Sequence, residues 1–323
     1  MTELRVLSDD DVASLLSLPA LLPEIERAFV KQGRGEVERP PRPHYPVGTE
    51  TPGTALAMPA YVHGDPTYAT KLAAVHGGNR ERGIPTVNAQ LALTDAETGR
   101  PLSYMAANRI TNARTGCIGG LSARELATGS VRLGVFGAGA QARWQTRAID
   151  AATDLERVRV YSPSDSREAC AADLREELGG GVDVSAVDSP AAAVAGSNVV
   201  VTATTSETPV FEGSALEPGT LVVAVGAFTA EMRELDAETM ARAATVFADV
   251  PAEAAEVGDT AEAGVEESEL RPLSAVFEGD AGRDSPDEIL VVESVGSAVL
   301  DAATAGHLYE RAERAEAGVV VTL

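Results

Sequence analysis

Residues 131–142 read V-R-L-G-V-F-G-A-G-A-Q-A, an apolar run that breaks into Gly137, Gly139 and Ala142 at the G-x-G-x-x-A spacing of a dinucleotide-binding turn. Each small residue answers a separate need. Gly137 permits the tight strand-to-helix turn, Gly139 lets the backbone approach a pyrophosphate, and Ala142 lets the helix lie close to the strand. The helix that follows, over residues 141–152, aims its N-terminal N–H groups at phosphate. A second strand, R-V-R-V-Y, ends in Ser162, Pro163, Ser164 and Asp165. An acid at that tip would bind the adenosine ribose and indicate NAD(H). A serine stands there instead, and the hydroxyls of Ser162 and Ser164 with Arg167 nearby suit a 2′-phosphate. The tip therefore leans to NADP(H), while Asp165 keeps NAD(H) open. A further chemical candidate is Lys71, set in the apolar run T-Y-A-T-K-L-A-A-V. Lys31 and Lys71 are the lysines among 26 cations, so a lysine retained where a solvated charge is not expected points to work beside a ligand. Burial lowers an amine's pKa and suits it to passing protons.

These residues need an α/β frame to hold them. From Val131 the chain alternates strand-like runs, at 131–136, 157–161, 182–187, 197–203, 220–226 and 244–249, with helix-like segments, the pattern of a doubly wound parallel sheet. Before it lies an α+β region. Ser8 ahead of D-D-D-V-A-S-L-L reads as a helix N-cap with acids in the first turn, and residues 21–32 carry helical spacing. Strand-like runs follow at 55–61, 68–75 and 86–93, then the turn D-A-E-T-G-R-P at 95–101, another strand and a helix ending near Ala127. Residues 250–287 are very acidic and read as exposed helices and loops. The run I-L-V-V-E leads to a helix at 297–314 and a terminal G-V-V-V-T-L. The division expected is an α+β domain over 1–127, a Rossmann doubly wound α/β domain over 128–296, and a segment over 297–323 that returns to the first.

Composition narrows the partners. Twenty-six Lys and Arg against 49 Asp and Glu give a net charge of -23. Such a chain is a poor match for nucleic acid or an anionic membrane, both of which need clustered positive charge. The dense carboxylates with almost no lysine read as adaptation to high salt, where screening is strong. Cys117 and Cys170 lack ligand spacing and read as free thiols in a reducing cytoplasm, so no metal site is implied. The acidic N-terminus is unlike a signal peptide, and no apolar run approaches membrane-spanning length.

Several segments in order resemble the ornithine cyclodeaminase and mu-crystallin family: M-P-A-Y at 58–61, Lys71, T-G-R-P-L at 98–102, I-T-N-A-R-T-G at 110–116 and G-A-G-A-Q-A at 137–142. T-A-T-T-S at 202–206, P-G-T at 218–220, V-G-A at 225–227, R-E-L-D at 233–236 and S-V-G-S-A at 294–298 extend the resemblance nearly end to end. It implies a homodimer in which 1–127 is the substrate and dimerisation domain, completed by the C-terminal helix, and a hydride passed between a nicotinamide and the α-carbon of an amino acid or its imine. It also implies that Arg42, Lys71 and Arg114 grip the substrate carboxylate, with Lys71 catalytic. Guanidinium groups suit that task because they bind a carboxylate in a planar, bidentate manner. On the dinucleotide it adds Thr115, Ala140, Gln141, Thr204, Val225 and Gly226 to Gly137, Gly139, Ser162, Ser164 and Arg167, which are read from the turn and the strand tip themselves.

The resemblance is broken at two positions. Ornithine cyclodeaminases carry an aspartate where this chain has Phe228, and a glutamate where it has Leu56. Cyclisation of ornithine needs groups that handle an ammonium and move protons, so the loss of both acids argues for a smaller task. That task is reduction of a cyclic ketimine acid such as Δ1-pyrroline-2-carboxylate or Δ1-piperideine-2-carboxylate, or the reverse oxidation of an L-amino acid. Lys71, water, His44 and His63 are the candidate proton donors. Ornithine cyclodeaminase is the alternative, and a dinucleotide-dependent binder without turnover, like mu-crystallin, is a second. Glu231 is displaced from the lost aspartate, and Asp236 reads as a helix N-cap.

Overall fold

In a computed structural model, which describes residues 3–49 and 53–323, the chain divides into two compact units. One comprises residues up to Arg114 together with Ser297–Leu323; the other is Thr115–Gly296. The first division falls inside the helix Asn108–Leu126, between Arg114 and Thr115, rather than after Ala127.

The first unit is built on an eight-stranded sheet of β1 (Glu3–Leu7), β2 (Val37–Glu38), β3 (His44–Val47), β4 (Gly53–Val62), β5 (Thr67–Val75), β6 (Val87–Asp95), β7 (Pro101–Ala106) and the last strand of the chain, β16 (Val319–Thr322). Its order is β16-β1-β7-β6-β5-β4-β2, with β3 paired to β4. The terminal G-V-V-V-T-L thus ends as an edge strand, antiparallel to β1. Alternation in β5 sorts its side chains. Ala69 and Lys71 are buried while Tyr68 and Leu72 are exposed on the opposite face. Register places Lys71 between Met58 of β4 and Leu91 of β6, and Leu91 in turn opposite Met105 of β7. A buried ammonium therefore stands in a row of apolar side chains. The helix Ala298–Ala315 covers this face, with Ser297 as its N-cap accepting from the Val299 N–H. At the N-terminal end Ser8 caps the helix Asp9–Leu15 through a reciprocal box with Asp11.

The second unit is an eight-stranded parallel sheet of β8 (Val131–Phe136), β9 (Leu155–Tyr161), β10 (Asp183–Ala186), β11 (Val199–Thr202), β12 (Leu221–Ala224), β13 (Ala243–Ala248), β14 (Leu270–Pro272) and β15 (Ile289–Glu293). The order is β10-β9-β8-β11-β12-β15-β13-β14. Strands β11, β12 and β15 are buried along their length, which is why their sequences run continuously apolar. Order reverses between β8 and β11, so the carboxyl ends of those strands form the crevice where doubly wound sheets bind ligands. The acidic stretch 250–287 does more than decorate the surface. It supplies β14 and the buried side chains of Val257, Asp259, Leu270 and Leu273. Among the described residues no helix is long and apolar enough to cross a membrane.

Candidate functional site

In the first unit, three distant parts of the sequence meet at one buried carboxylate. Lys71 is 2% exposed, and its Nζ donates to Asp301 Oδ2 at 2.6 Å and lies 3.4 Å from Thr111 Oγ1. Arg114, from the helix Asn108–Leu126, donates through Nε to Asp301 Oδ1 at 3.1 Å. Arg42, in the connection between β2 and β3, contributes a third positive charge felt at Lys71. The expected carboxylate grip of Arg42, Lys71 and Arg114 is thus drawn together around a residue that sequence reasoning missed. Asp301 lies in the first turn of the helix Ala298–Ala315, where an acid is read as an ordinary partner of the helix dipole. No spacing rule links it to Lys71, 230 residues earlier.

Burial disfavours the charged form of Lys71, the Asp301 carboxylate restores it, and the charges of Arg114 and Arg42 work against it; together they bring its pKa down to about 8. Burial likewise opposes ionisation of Asp301, but the charges and hydrogen bonds of Arg114 and Lys71 outweigh it and hold the carboxyl below its usual range. Lys71, Arg114 and Asp301 thus comprise two cations and one anion. Moreover, Arg114 Nη1 is buried with no hydrogen-bond partner. An unpaired buried donor costs about 1–3 kcal/mol. A pair of cations with an unpartnered guanidinium nitrogen can accept an anion, and a carboxylate has the charge and the acceptor oxygens to do so.

The other proton-donor candidates lie elsewhere. His44 is exposed on β3, and His63 is tied at the surface to Glu38, 2.9 Å away. Leu56 and Phe228 offer no acid–base group, and Phe228 is 44% exposed. Asp236 caps the helix Ala237–Arg242, accepting from the Thr239 N–H.

The dinucleotide candidates all lie in the second unit. Gly137 has φ of +108°, and a Cβ there would stand 2.4 Å from the Ala203 carbonyl oxygen, so the turn admits only glycine. Gly139 is the N-cap of the helix Ala140–Ala152 and gives it no side-chain cap; a Cβ at Gly139 would meet nothing within 4 Å. Bare N–H groups facing open space fit a phosphate. Ala142 is fully buried, as close packing of helix on strand requires. Gln141 follows Ala140 in the first turn of this helix. Thr115 is buried, and its carbonyl accepts from Gln145 Nε2 at 2.8 Å.

At the tip of β9, Ser162 is buried and Ser164 Oγ lies 2.7 Å from Ser166 Oγ. Arg167 reaches the carbonyls of Ser162 and Ser164 through Nη1, at 3.3 and 3.1 Å, and Asp188 through Nη2 at 3.0 Å. Thr204 follows β11, and Val225 and Gly226 follow β12, at the carboxyl edge of the sheet. Among the described residues no group of three or more His, Cys, Asp or Glu could hold a metal ion.

Comparison with known proteins agrees with this architecture. The chain matches the ornithine cyclodeaminase/mu-crystallin family over residues 2–316. It is 35% identical over 312 residues to a Δ1-pyrroline-2-carboxylate/Δ1-piperideine-2-carboxylate reductase of Azospirillum brasilense, covering 94% of each chain. The structure of a Thermococcus litoralis Δ1-pyrroline-2-carboxylate reductase in complex with NADH and L-proline superposes with a TM-score of 0.92 at 30% identity, covering 98% of this chain and 99% of that one. An archaeal alanine dehydrogenase dimer with bound NAD superposes with a TM-score of 0.90 at 30% identity, covering 100% of both.

Proposed function

This chain belongs to the ornithine cyclodeaminase/mu-crystallin family, and from that premise we propose that it is an NAD(P)-dependent oxidoreductase acting at the α-carbon of a small amino or cyclic imino acid. The observation that carries the reading is the buried cluster of Lys71, Arg114 and Asp301, with its surplus of positive charge and its unpartnered Arg114 Nη1. A nicotinamide dinucleotide held at the Gly137–Gly139 turn and the strand ends carrying Thr204, Val225 and Gly226 would supply hydride chemistry at the C=N carbon, in either direction. Arg114 and Arg42 hold the substrate carboxylate, and Lys71 delivers the proton that the imine nitrogen needs. Solvent then returns a proton to Lys71. Reduction of Δ1-pyrroline-2-carboxylate or Δ1-piperideine-2-carboxylate requires no second acid–base pair, which accords with apolar residues at Leu56 and Phe228. Cyclodeamination of ornithine does require one.

The same geometry favours NAD(H) over the NADP(H) suggested by the serines. Arg167 is already engaged by Asp188 and by two carbonyls, so its guanidinium is poorly placed to receive a 2′-phosphate. Cys117 and Cys170 are buried free thiols, which supports a reducing compartment, the cytoplasm. In concentrated KCl, chosen because a net charge of -23 calls for screening, NADH is expected to be oxidised on addition of either cyclic imino acid, and faster than NADPH. The rate of reduction should fall as pH rises through about 8, where Lys71 loses its proton. Ammonia and proline formed from ornithine with catalytic NAD+ would overturn the assignment.

The assembly belongs to the same reading. The sheet face turned away from Lys71 exposes Tyr68, Leu72 and Tyr104, each more than a third accessible. Apolar side chains on one open sheet face suit a second copy of the chain. The chain should behave as a dimer in light scattering, and Leu72→Asp should shift it to monomer; a monomeric unmodified chain would remove this role for the face.

A further inference from the structure

The R-E-L-D segment at 233–236 contains a residue to which the proposed chemistry gives no role. Glu234 is fully buried, and its carboxylate gathers donors from two strand ends. Oε1 accepts from the Thr204 N–H at 2.6 Å; Oε2 accepts from the Gly226 N–H at 2.8 Å and from Thr202 Oγ1 at 2.9 Å. The contact is too close for any side chain between them. A Cβ on Gly226 would lie 2.3 Å from the Thr204 oxygen and 2.6 Å from Glu234 Cδ. Behind the carboxylate, Asp259 Oδ1 accepts from the Glu234 and Leu235 N–H groups at 2.6 and 2.7 Å, fixing the backbone that presents it.

We infer that Glu234 is a positioning residue for the dinucleotide: its carboxylate ties the backbone after β11 to the backbone after β12 and so sets Thr204, Val225 and Gly226 in the arrangement that receives the nicotinamide end. The inference rests on the dinucleotide reading of this unit. Three donors on one carboxylate need both oxygens as acceptors. A proton on either oxygen turns an acceptor into a donor and opens the tie.

That proton arrives near neutrality. Burial pushes the Glu234 carboxyl up to about 7 against the hydrogen bonds from Thr204 and Gly226, with Asp259 adding to the rise. The charged and titratable groups around it are Asp259 on the helix Gly258–Ala263, Glu293 at the end of β15 and Arg233 next in the chain; Asp249, after β13, acts in turn on Glu293. Glu293, buried beside these acids with Oε1 unpartnered, is held well above the usual carboxylate range by burial and by its three acidic neighbours.

The test is NADH binding followed by cofactor fluorescence between pH 6 and 8.5, on the full chain and on Glu234→Gln. The unmodified chain should bind severalfold more weakly at pH 6 than at pH 8. Glu234→Gln should bind on the order of tenfold more weakly at pH 8 and show no such dependence, because a neutral amide meets three donors with one acceptor. At saturating NADH the KM for the imino acid should be unchanged. Binding by Glu234→Gln within twofold of the unmodified chain, with the same pH dependence, overturns the role. Should that variant not fold, Thr202→Val decides: it removes one donor and is expected to weaken NADH binding by roughly threefold to tenfold, and unchanged binding overturns the tie. Absence of NADH binding by the unmodified chain at every pH would instead remove the dinucleotide reading, and this role with it.

Discussion

Asp301→Asn should lower kcat/KM for the imino acid by about 100-fold or more at neutral pH, with the loss concentrated in kcat. Asparagine keeps the shape of the side chain but removes the one negative charge that faces Lys71 Nζ at 2.6 Å and Arg114 Nε at 3.1 Å. Burial and the charges of Arg114 and Arg42 would then act on Lys71 without opposition and drive its pKa from about 8 to lower values. At pH 7 the amine would be largely neutral and could not donate. Arg114 would also lose a charge-assisted bond, and breaking a buried pair by removing one partner costs about 3–5 kcal/mol. The diagnostic is the pH profile. The descending limb of the reduction rate should move below neutrality in the variant, so activity partly recovers in mild acid. A variant within threefold of the unmodified chain at every pH would show that Asp301 has no part in proton delivery.

The two glycines of the β8 turn should separate folding from binding. Gly137→Ala places a methyl group 2.4 Å from the Ala203 oxygen at a φ of +108°. Backbone strain and clash together should cost roughly 3 kcal/mol or more, a fall in Tm of about 6–12 °C for a unit of this size. Gly139→Ala meets nothing within 4 Å, and its φ of -85° is one that alanine adopts freely. Its Tm should stay within about 2 °C. NADH affinity should nonetheless fall on the order of tenfold, because the added methyl group stands in the open space before the helix N-terminus. Equal NADH affinity in Gly139→Ala and the unmodified chain would mean that no phosphate approaches this backbone.

Legibility in the sequence followed periodicity and local spacing. The valine-rich strands β11 and β12 declare burial on both faces, and Gly137, Gly139 and Ala142 declare the turn, because each signal lies within a dozen residues. Lys71 stood out because lysine is so rare here. Asp301 did not, since its significance is a contact with a strand 230 residues away. Glu234 was visible only as part of a motif: a buried glutamate is recognised by the donors around it, and those come from Thr202, Thr204 and Gly226 on two other segments. Residues 250–287 misled because their high acid content concealed apolar positions such as Val257, Leu270 and Leu273, which are buried. The tip of β9 read as a phosphate site by residue type, whereas the geometry of Arg167 depends on Asp188, 21 residues on.

The division of the chain also has a consequence for folding. The second unit is one continuous stretch, Thr115–Gly296, while the first joins two segments, the later of which, Ser297–Leu323, carries both Asp301 and the edge strand β16. Before those two segments meet, Lys71 and Arg114 lack the Asp301 carboxylate they are buried with, which raises the cost of closing the first sheet over them. Burial of these cations therefore waits on a contact 187 residues apart in the chain, the kind of long-range closure that slows folding.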